Sequence, residues 1–380
     1  MKWLRSAWCV MAVSLGCATG CGEQDFPSGA GTGGSAGTGG SAGTGGSLDP
    51  GAPGQKEFET FRDSFETLET LAGSGLAGPD TNDWDASFEG GSALDADLST
   101  PHNALGDAEG NTYIADKDAH AIRKVTPDGV ISTAAGSNAS GDDGDEPAAG
   151  VDAHLHQPNG LWVKADGTVY ILDLGNKKVR KLAPDGTLTT LFVAPTLVTG
   201  RGLWVADDES LAYVCSGSEL LRWTPEGGVE LLANGFGELG NLFVSPEGLL
   251  LVTDRGANRV FRVDAGGTVM AIAGSGTTSG AVDGQFLTDV PLDGVRGIWG
   301  VGNGLLLATH EGSQVLYEDS TGYFHVLIDG AKDAHAGDGE ALGTVGKKVS
   351  EVRSVTVSPA GDLLITENDL GFVRVAKKKR

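Results

Sequence analysis

"PNGLWVKADGTVYILDLGNKKVRKLAPDGTLTTLFV", residues 158–193, contains four short apolar runs separated by turn residues. "GLWV" ends in "ADGT", "VYILD" in "LGNK" and "KVRKL" in "PDG" before the last run, "TLTTLFV", begins. Gly placed next to Asp suits hairpin turns, because it takes the positive φ that such turns require. The segment therefore predicts four consecutive antiparallel strands. The same pattern appears upstream in "YIADKDAHAIRKVTPDGVISTAAGS", residues 113–137.

Aligned on the end of the second strand, the pattern recurs as "TYIAD" ending at Asp116, "VYILD" at Asp173, "AYVCS" at Ser216, "LLVTD" at Asp254, "LLATH" at His310 and "LLITE" at Glu367. The spacings run from 38 to 57 residues, the longer ones adding a loop rich in Gly and Asp. Six four-stranded units in series imply an all-β fold, a six-bladed β-propeller whose stacked blades cover both faces of every sheet. The sixth unit stops after its third strand, "FVRV" at 372–375, and a three-stranded blade would leave an open edge. "ETLETLAGSG" at 66–75 matches "GTVMAIAGSG" at 267–276, so an N-terminal strand over 66–73 is expected to complete the last blade. The helical spacing of Phe58, Phe61, Phe65 and Leu68 offers a helix as the rival reading for 57–71, and a helix before the strand is compatible with both.

The wording "PNGLWV…DGTVYILD…KVRKL…PDG", with the loop "AAGSNASGDDGDEPAAGVDAHLHQP", resembles the NHL-repeat propellers. The likeness covers residues 66–376, is good in the first two units and poor in the third and fifth. It implies the propeller fold. About function it implies only a choice, since such propellers act as binding scaffolds and less often as enzymes, and some related lyases hold a metal with histidines around the channel.

The chain begins differently. Lys2 and Arg5 precede the apolar "SAWCVMAVSLG", which is too short to span a bilayer as a mature helix. "CATGCG" follows and resembles a bacterial lipobox, with Cys21 the expected lipidated residue and Cys17 the competing one. Residues 1–20 are then a signal peptide, 21–57 a flexible tether built around the Gly/Ser-rich repeats of 29–47, and 58–380 the propeller. A cell-envelope lipoprotein is expected, attached to the outer membrane and facing the periplasm or the cell surface. A monomer is expected. Cys215 is left unpaired, and no structural disulfide is expected. The net charge of −24 argues against nucleic-acid binding.

No nucleophile elbow, phosphate loop or zinc-protease helix is present. The candidate site comes from the repeat instead. The leading ends of the first strands line one mouth of the central channel, and the equivalent position holds His102, Asn159, Arg201, Gly240, Arg296 and Arg353. Guanidinium groups bind carboxylate or phosphate bidentately, so the three arginines outline an anion site. The second-strand ends Asp116, Asp173, Asp254, His310 and Glu367 are expected at the same mouth. This leaves a structural alternative, in which each arginine pairs with a neighbouring acid. The next ring, Leu105, Trp162, Trp204, Phe243, Trp299 and Thr356, is expected to pack between blades.

"HLH" at 154–156, with His102, does not make up a full ligand set, and zinc is not expected. "GDDGDE" at 141–146 and "PDTNDWD" at 79–85 offer calcium-type oxygen donors without the twelve-residue loop pattern. The terminal "KKKR" reads as a solvated tail. Three functions follow: a non-catalytic scaffold binding a protein or an anionic ligand at the channel mouth, a metal-dependent hydrolase or lyase, and a structural envelope component. Replacing Cys21 with Ser is expected to move the protein from the membrane to the soluble fraction, read by detergent partitioning. Retention of the lipid in Cys21→Ser together with its loss in Cys17→Ser would reassign the anchor.

Overall fold

Each of the six sequence units builds one antiparallel sheet, and the sheets follow one another around a central axis as a six-bladed β-propeller. The structure is a computed structural model that describes residues 54–77, 81–302, 304–343 and 345–380. Cys17, Cys21, the Gly/Ser repeats and the export segment lie outside the described residues. The inner strands, one per blade, are Pro101–Gly106, Pro158–Val163, Leu203–Val205, Leu239–Val244, Val295–Val301 and Val352–Val357. In blades one, two, five and six the long loop contributes a fifth, two-residue strand on the outer edge: Gly91–Ser92, Ala148–Ala149, Gln285–Phe286 and Glu340–Ala341. The last three lie in the loops behind the longer sequence spacings, the first in the segment before blade one, and all four cover edges that would otherwise be open.

The turns behave as their residues require. Gly129 and Gly186 in the "PDG" turns have φ of 82° and 86°, which disfavours any residue with a Cβ. In the second of these turns the Asp185 carboxylate accepts the Thr187 amide at 2.9 Å. The hydrophobic core consists of wedges between consecutive blades. Leu105, Tyr113 and Ile122 of blade one meet Leu161, Val163 and Ile171 of blade two, and each of the other inter-blade gaps holds its own buried cluster.

Phe65–Ala72 pairs antiparallel with the C-terminal strand Phe372–Lys378, so the N-terminal segment supplies the missing strand of the last blade. Both readings of 57–71 are realised in part. A helix runs over Gln55–Arg62 and the strand begins at Phe65. The helix docks on blade five, where Phe61 stacks on Tyr317 at 4.2 Å and Phe58 on His325 at 4.5 Å. The basic tail departs from expectation. Lys378 belongs to the last strand, donates to the Ser64 hydroxyl at 2.5 Å and lies over the Phe65 ring. Lys379 donates to the Asp63 carbonyl. The two lysines are held by the closure strand that the sequence placed beside them.

The second-strand acids also depart from expectation. Asp116, Asp173, Asp254 and Glu367 are fully buried and do not neutralise the channel mouth. Asp116 and Glu367 pair with third-strand Arg123 and Arg374 at 2.9 and 2.8 Å, and Arg180 lies 3.7 Å from Asp173. Asp254 accepts four backbone amides, from Gly237, Glu238, Gly256 and Ala257. In blade five the register makes Thr309, opposite Val295, the counterpart of these acids. His310 is one residue further on, in the turn, and this corrects its alignment with the acids.

Deleting residues 58–75 is expected to lower the melting temperature by about 10 °C or more, because it reopens the last blade and strips the helix from blade five. Deleting 29–47 is expected to leave it unchanged, and equal melting of the two variants would refute strand closure. Glu318, in the blade-five strand Gln314–Glu318, is only 6% exposed. Burial first, then the Asp319 charge, raise its pKa from 4.5 to about 7. The folded chain holds this proton more tightly than the unfolded chain, so stability is lost as pH rises from about 4.5 to 7. Glu318→Gln is expected to melt several degrees above the wild type at pH 8 and equal to it near pH 4.5. Parallel melting curves across that range would refute the assignment.

Candidate functional site at the channel mouth

Two features of the inner strands shape the mouth. The first is a β-bulge at the predicted ring position. Pro158 pairs with Asp173 and Gly160 with Leu172, leaving Asn159 as the extra residue, and Arg296 and Arg353 stand in the same way in blades five and six. In blades one and four the irregularity spans His102–Asn103 and Gly240–Asn241. Bulges re-aim side chains and occur at rims. The second feature is the close approach of neighbouring inner strands. A Cβ on Gly160 would stand 2.2 Å from the Arg201 carbonyl oxygen, and one on Gly297 would stand 2.9 Å from the Val355 amide. Cross-blade hydrogen bonds follow the same contact. Asn159 donates to the Gly200 carbonyl at 2.6 Å, and Thr356 donates to the Ala104 carbonyl at 2.7 Å.

Three residues along the strand, about 10 Å from the mouth, the aromatic ring positions meet one another. Trp162 of blade two lies 6.0 Å from Trp299 of blade five, across the diameter of the propeller, and 6.4 Å from Trp204. Phe243 lies 5.9 Å from Trp299. These residues were expected to pack between blades. They do so, Leu105 inside one inter-blade cluster and Trp162, Trp204, Phe243 and Trp299 against the edges of others, and the aromatic ones also meet on the axis as a layer beneath the cup of the mouth.

The ring residues gather at the cup. His102, Asn159, Arg201 and Arg296 are buried and Arg353 is half-buried. Gly240 contributes no side chain. The arginines divide into two kinds. Arg296 pairs with Glu311 at 2.8 Å, and Arg353 with Asp369 at 3.4 Å, both acids lying in turns behind the second strands. Arg255 pairs with Glu238 beside them. Arg201 is 8% exposed and makes no hydrogen bond or ion pair with any described residue. Burial, and then the guanidinium groups of Arg353, Arg296 and Arg255, push its pKa well below the ordinary range, opposed by Glu238. Burial and then Arg296 bring Arg353 down to about 10. A guanidinium does not deprotonate in a protein, so the Arg201 charge is held in the mouth at a cost in free energy. Burial, Arg353 and Arg201 likewise hold the His102 pKa well below 6.5, which leaves a neutral imidazole with an unpaired Nδ1 in the cup.

His310 is close by. Its Nδ1 lies 3.4 Å from Glu311 and its Nε2 3.8 Å from Asp369, and neither nitrogen makes a hydrogen bond. Burial alone would raise the Glu311 carboxyl, but His310 and Arg296 outweigh it and bring it to about 2. Glu351, missed in the sequence, completes the group. It is the residue before the inner strand of blade six, and its only signal in the sequence is its place two residues before Arg353.

The remaining candidates do not gather. His154 pairs with Asp143 on the surface, and His156 stands edge-on to His120. In the "GDDGDE" loop, Asp142 and Asp145 are occupied by Lys178, so its carboxylates do not form a calcium cage among the described residues. Cys215 is buried and unpaired.

No protein-family model and no curated protein matches this sequence. Solved structures do. A protein of unknown function from Bacteroides thetaiotaomicron matches over 82% of this chain and 76% of its own at 15% identity, with a TM-score of 0.67. An auxiliary nutrient binding protein from the same organism matches over 83% and 77% at 12% identity, TM-score 0.60. A streptogramin B lyase matches over 83% and 98% at 13% identity, TM-score 0.52. At these identities the likeness establishes the fold, a six-bladed β-propeller shared by binding proteins and enzymes alike.

Proposed function

We propose that this chain is a binding propeller that takes an anionic group, of carboxylate or phosphate type, into the cup at its channel mouth. A lipid anchor at Cys21 and a flexible tether would present it outside the cytoplasm. The observation that carries the proposal is Arg201. A buried cation without a counter-charge costs several kcal/mol, and three more guanidinium groups nearby raise that cost. The surrounding protein is strongly acidic, at −24, so a surplus of cations at one place is local and not compositional. An anion entering the cup would meet the half-buried Arg353 and then the more deeply buried Arg201 and Arg296, above the aromatic layer of Trp162, Trp204 and Trp299. Nutrient binding by a propeller of the same fold is consistent with this use of the mouth.

The two kinds of arginine make the proposal testable. Arg296→Ala leaves Glu311 without its partner and is expected to lower the melting temperature. Arg201→Met leaves no orphaned acid and is expected to melt at or above the wild-type temperature. Calorimetry with acetate, succinate, citrate and inorganic phosphate is expected to find at least one binder. Arg201→Met should weaken it by roughly 10- to 150-fold, equivalent to about 1.5–3 kcal/mol for a charged hydrogen bond. Arg201→Lys should weaken it less. If none of these anions binds the wild type and Arg201→Met melts well below it, Arg201 is structural and the proposal fails.

A further inference from the structure

His310, Glu351 and Asp369 each offer a ligand atom, and these atoms lie within 4.8 Å of one another. They come from three separate segments: the turn behind the second strand of blade five, the corner before the inner strand of blade six, and the turn behind the second strand of blade six. We propose that these three side chains form a divalent-cation site of the zinc or manganese class on the rim of the cup.

The histidine is the reason to go beyond a cluster of acids. His310 is 94% buried, from a relative exposure of 6%, and both of its ring nitrogens lack a hydrogen bond. A buried imidazole normally donates from one nitrogen and accepts at the other, and leaving both unmade costs free energy. Its Nε2 faces Asp369 at 3.8 Å. Two ligand atoms on one tetrahedral ion are about 3.4 Å apart, so a small movement lets both bind a single cation. The two carboxylates also need one. Glu351 and Asp369 stand against each other; among the described residues Asp369 has Arg353 at 3.4 Å and the His310 imidazole at 3.8 Å, and Glu351 forms no ion pair.

Glu351 is held in place by the fold. Its backbone has φ of 40°, in the left-handed region, and the corresponding corners Thr100 and Gln157 have φ of 64° and 51°. The Glu351 amide donates to the Ser313 hydroxyl at 3.2 Å. The corner is a feature of the propeller, and the carboxylate is what distinguishes blade six. One imidazole nitrogen and two carboxylate oxygens suit borderline first-row ions better than calcium, which takes six to eight oxygens, or magnesium, which retains its waters.

The inference does not depend on the anion reading, because cation uptake is measured without any organic ligand. The folded protein, stripped with EDTA, is dialysed against zinc, manganese, calcium or magnesium chloride, and bound metal is measured by mass spectrometry. One equivalent of zinc or manganese per chain is expected, with a rise in melting temperature, and little calcium or magnesium. His310→Ala and Glu351→Gln are each expected to weaken the preferred ion at least about tenfold. Glu351 is half-buried, so its variant tests the site even if His310→Ala fails to fold. Cobalt substitution adds a readout that structure alone would not move, a visible absorption band that shifts when His310 is removed. His154→Ala, at the surface His–Asp pair, is expected to change nothing. Retention of full zinc or manganese affinity by Glu351→Gln, or no stoichiometric uptake of either ion by the wild type, would overturn the proposal.

Discussion

The architecture depends on how closely six strands can converge on one axis. Inner strands of neighbouring blades touch backbone to backbone, and a glycine marks the contact in blades two to five: Gly160 against Arg201, Gly202 against Leu242, Gly240 against Arg296 and Gly297 against Val355. In blade six Ser354 occupies the corresponding place. A Cβ at any of these four glycines would meet the neighbouring strand within 3.0 Å and force the strands apart, and with them the wedge-shaped clusters that form the core between blades. The residue before the glycine is affected in turn. In blades two, three and five it is Asn159, Arg201 and Arg296, set on a bulge in blades two and five and just before the inner strand in blade three. Tight packing along the inner strands and a polar rim around the cup therefore arise from the same short sequence.

Charge is distributed by the same geometry. The acids that close the second strands are used inside the blades, where Arg123 and Arg374 and four amides at Asp254 satisfy them. They are fully buried, and the arrangement holds because each has its partners. None is left over for the mouth. The rim arginines take counter-charges from the next turn outward, Glu311 and Asp369, and blade three, whose second strand ends in Ser216, supplies none for Arg201. The asymmetry of the cup, paired on one side and unpaired on the other, follows from blade three carrying a ring arginine without an acidic turn behind its second strand. A six-fold scaffold thus acquires a directional site without any departure from its fold.

Most of the fold was legible in the sequence, because the repeat states it six times and each statement is local. Alternating apolar runs, Asp-Gly turns and the missing fourth strand of the last unit together fixed blade number, strand order and the closure by Phe65–Ala72. The ring of His102, Asn159, Arg201, Arg296 and Arg353 was legible for the same reason, since a repeat converts one position into a ring. What the repeat could not specify were relations between side chains of different blades. The meeting of Trp162 and Trp299 across the axis depends on the channel's width. The division of the arginines into paired and unpaired depends on where the turns of blades five and six deliver Glu311 and Asp369. The docking of Lys378 and Lys379 depends on the closure strand bringing Ser64 and Asp63 beside them. The gathering of Glu351 with His310 and Asp369 depends on three segments far apart in the chain. Sequence by itself determined the scaffold and the ring, because hydrogen-bonded strands and turns are set by near neighbours. Only the tertiary structure decided which of those charges are neutralised, because pairing depends on distances of a few ångströms between blades that no local pattern encodes.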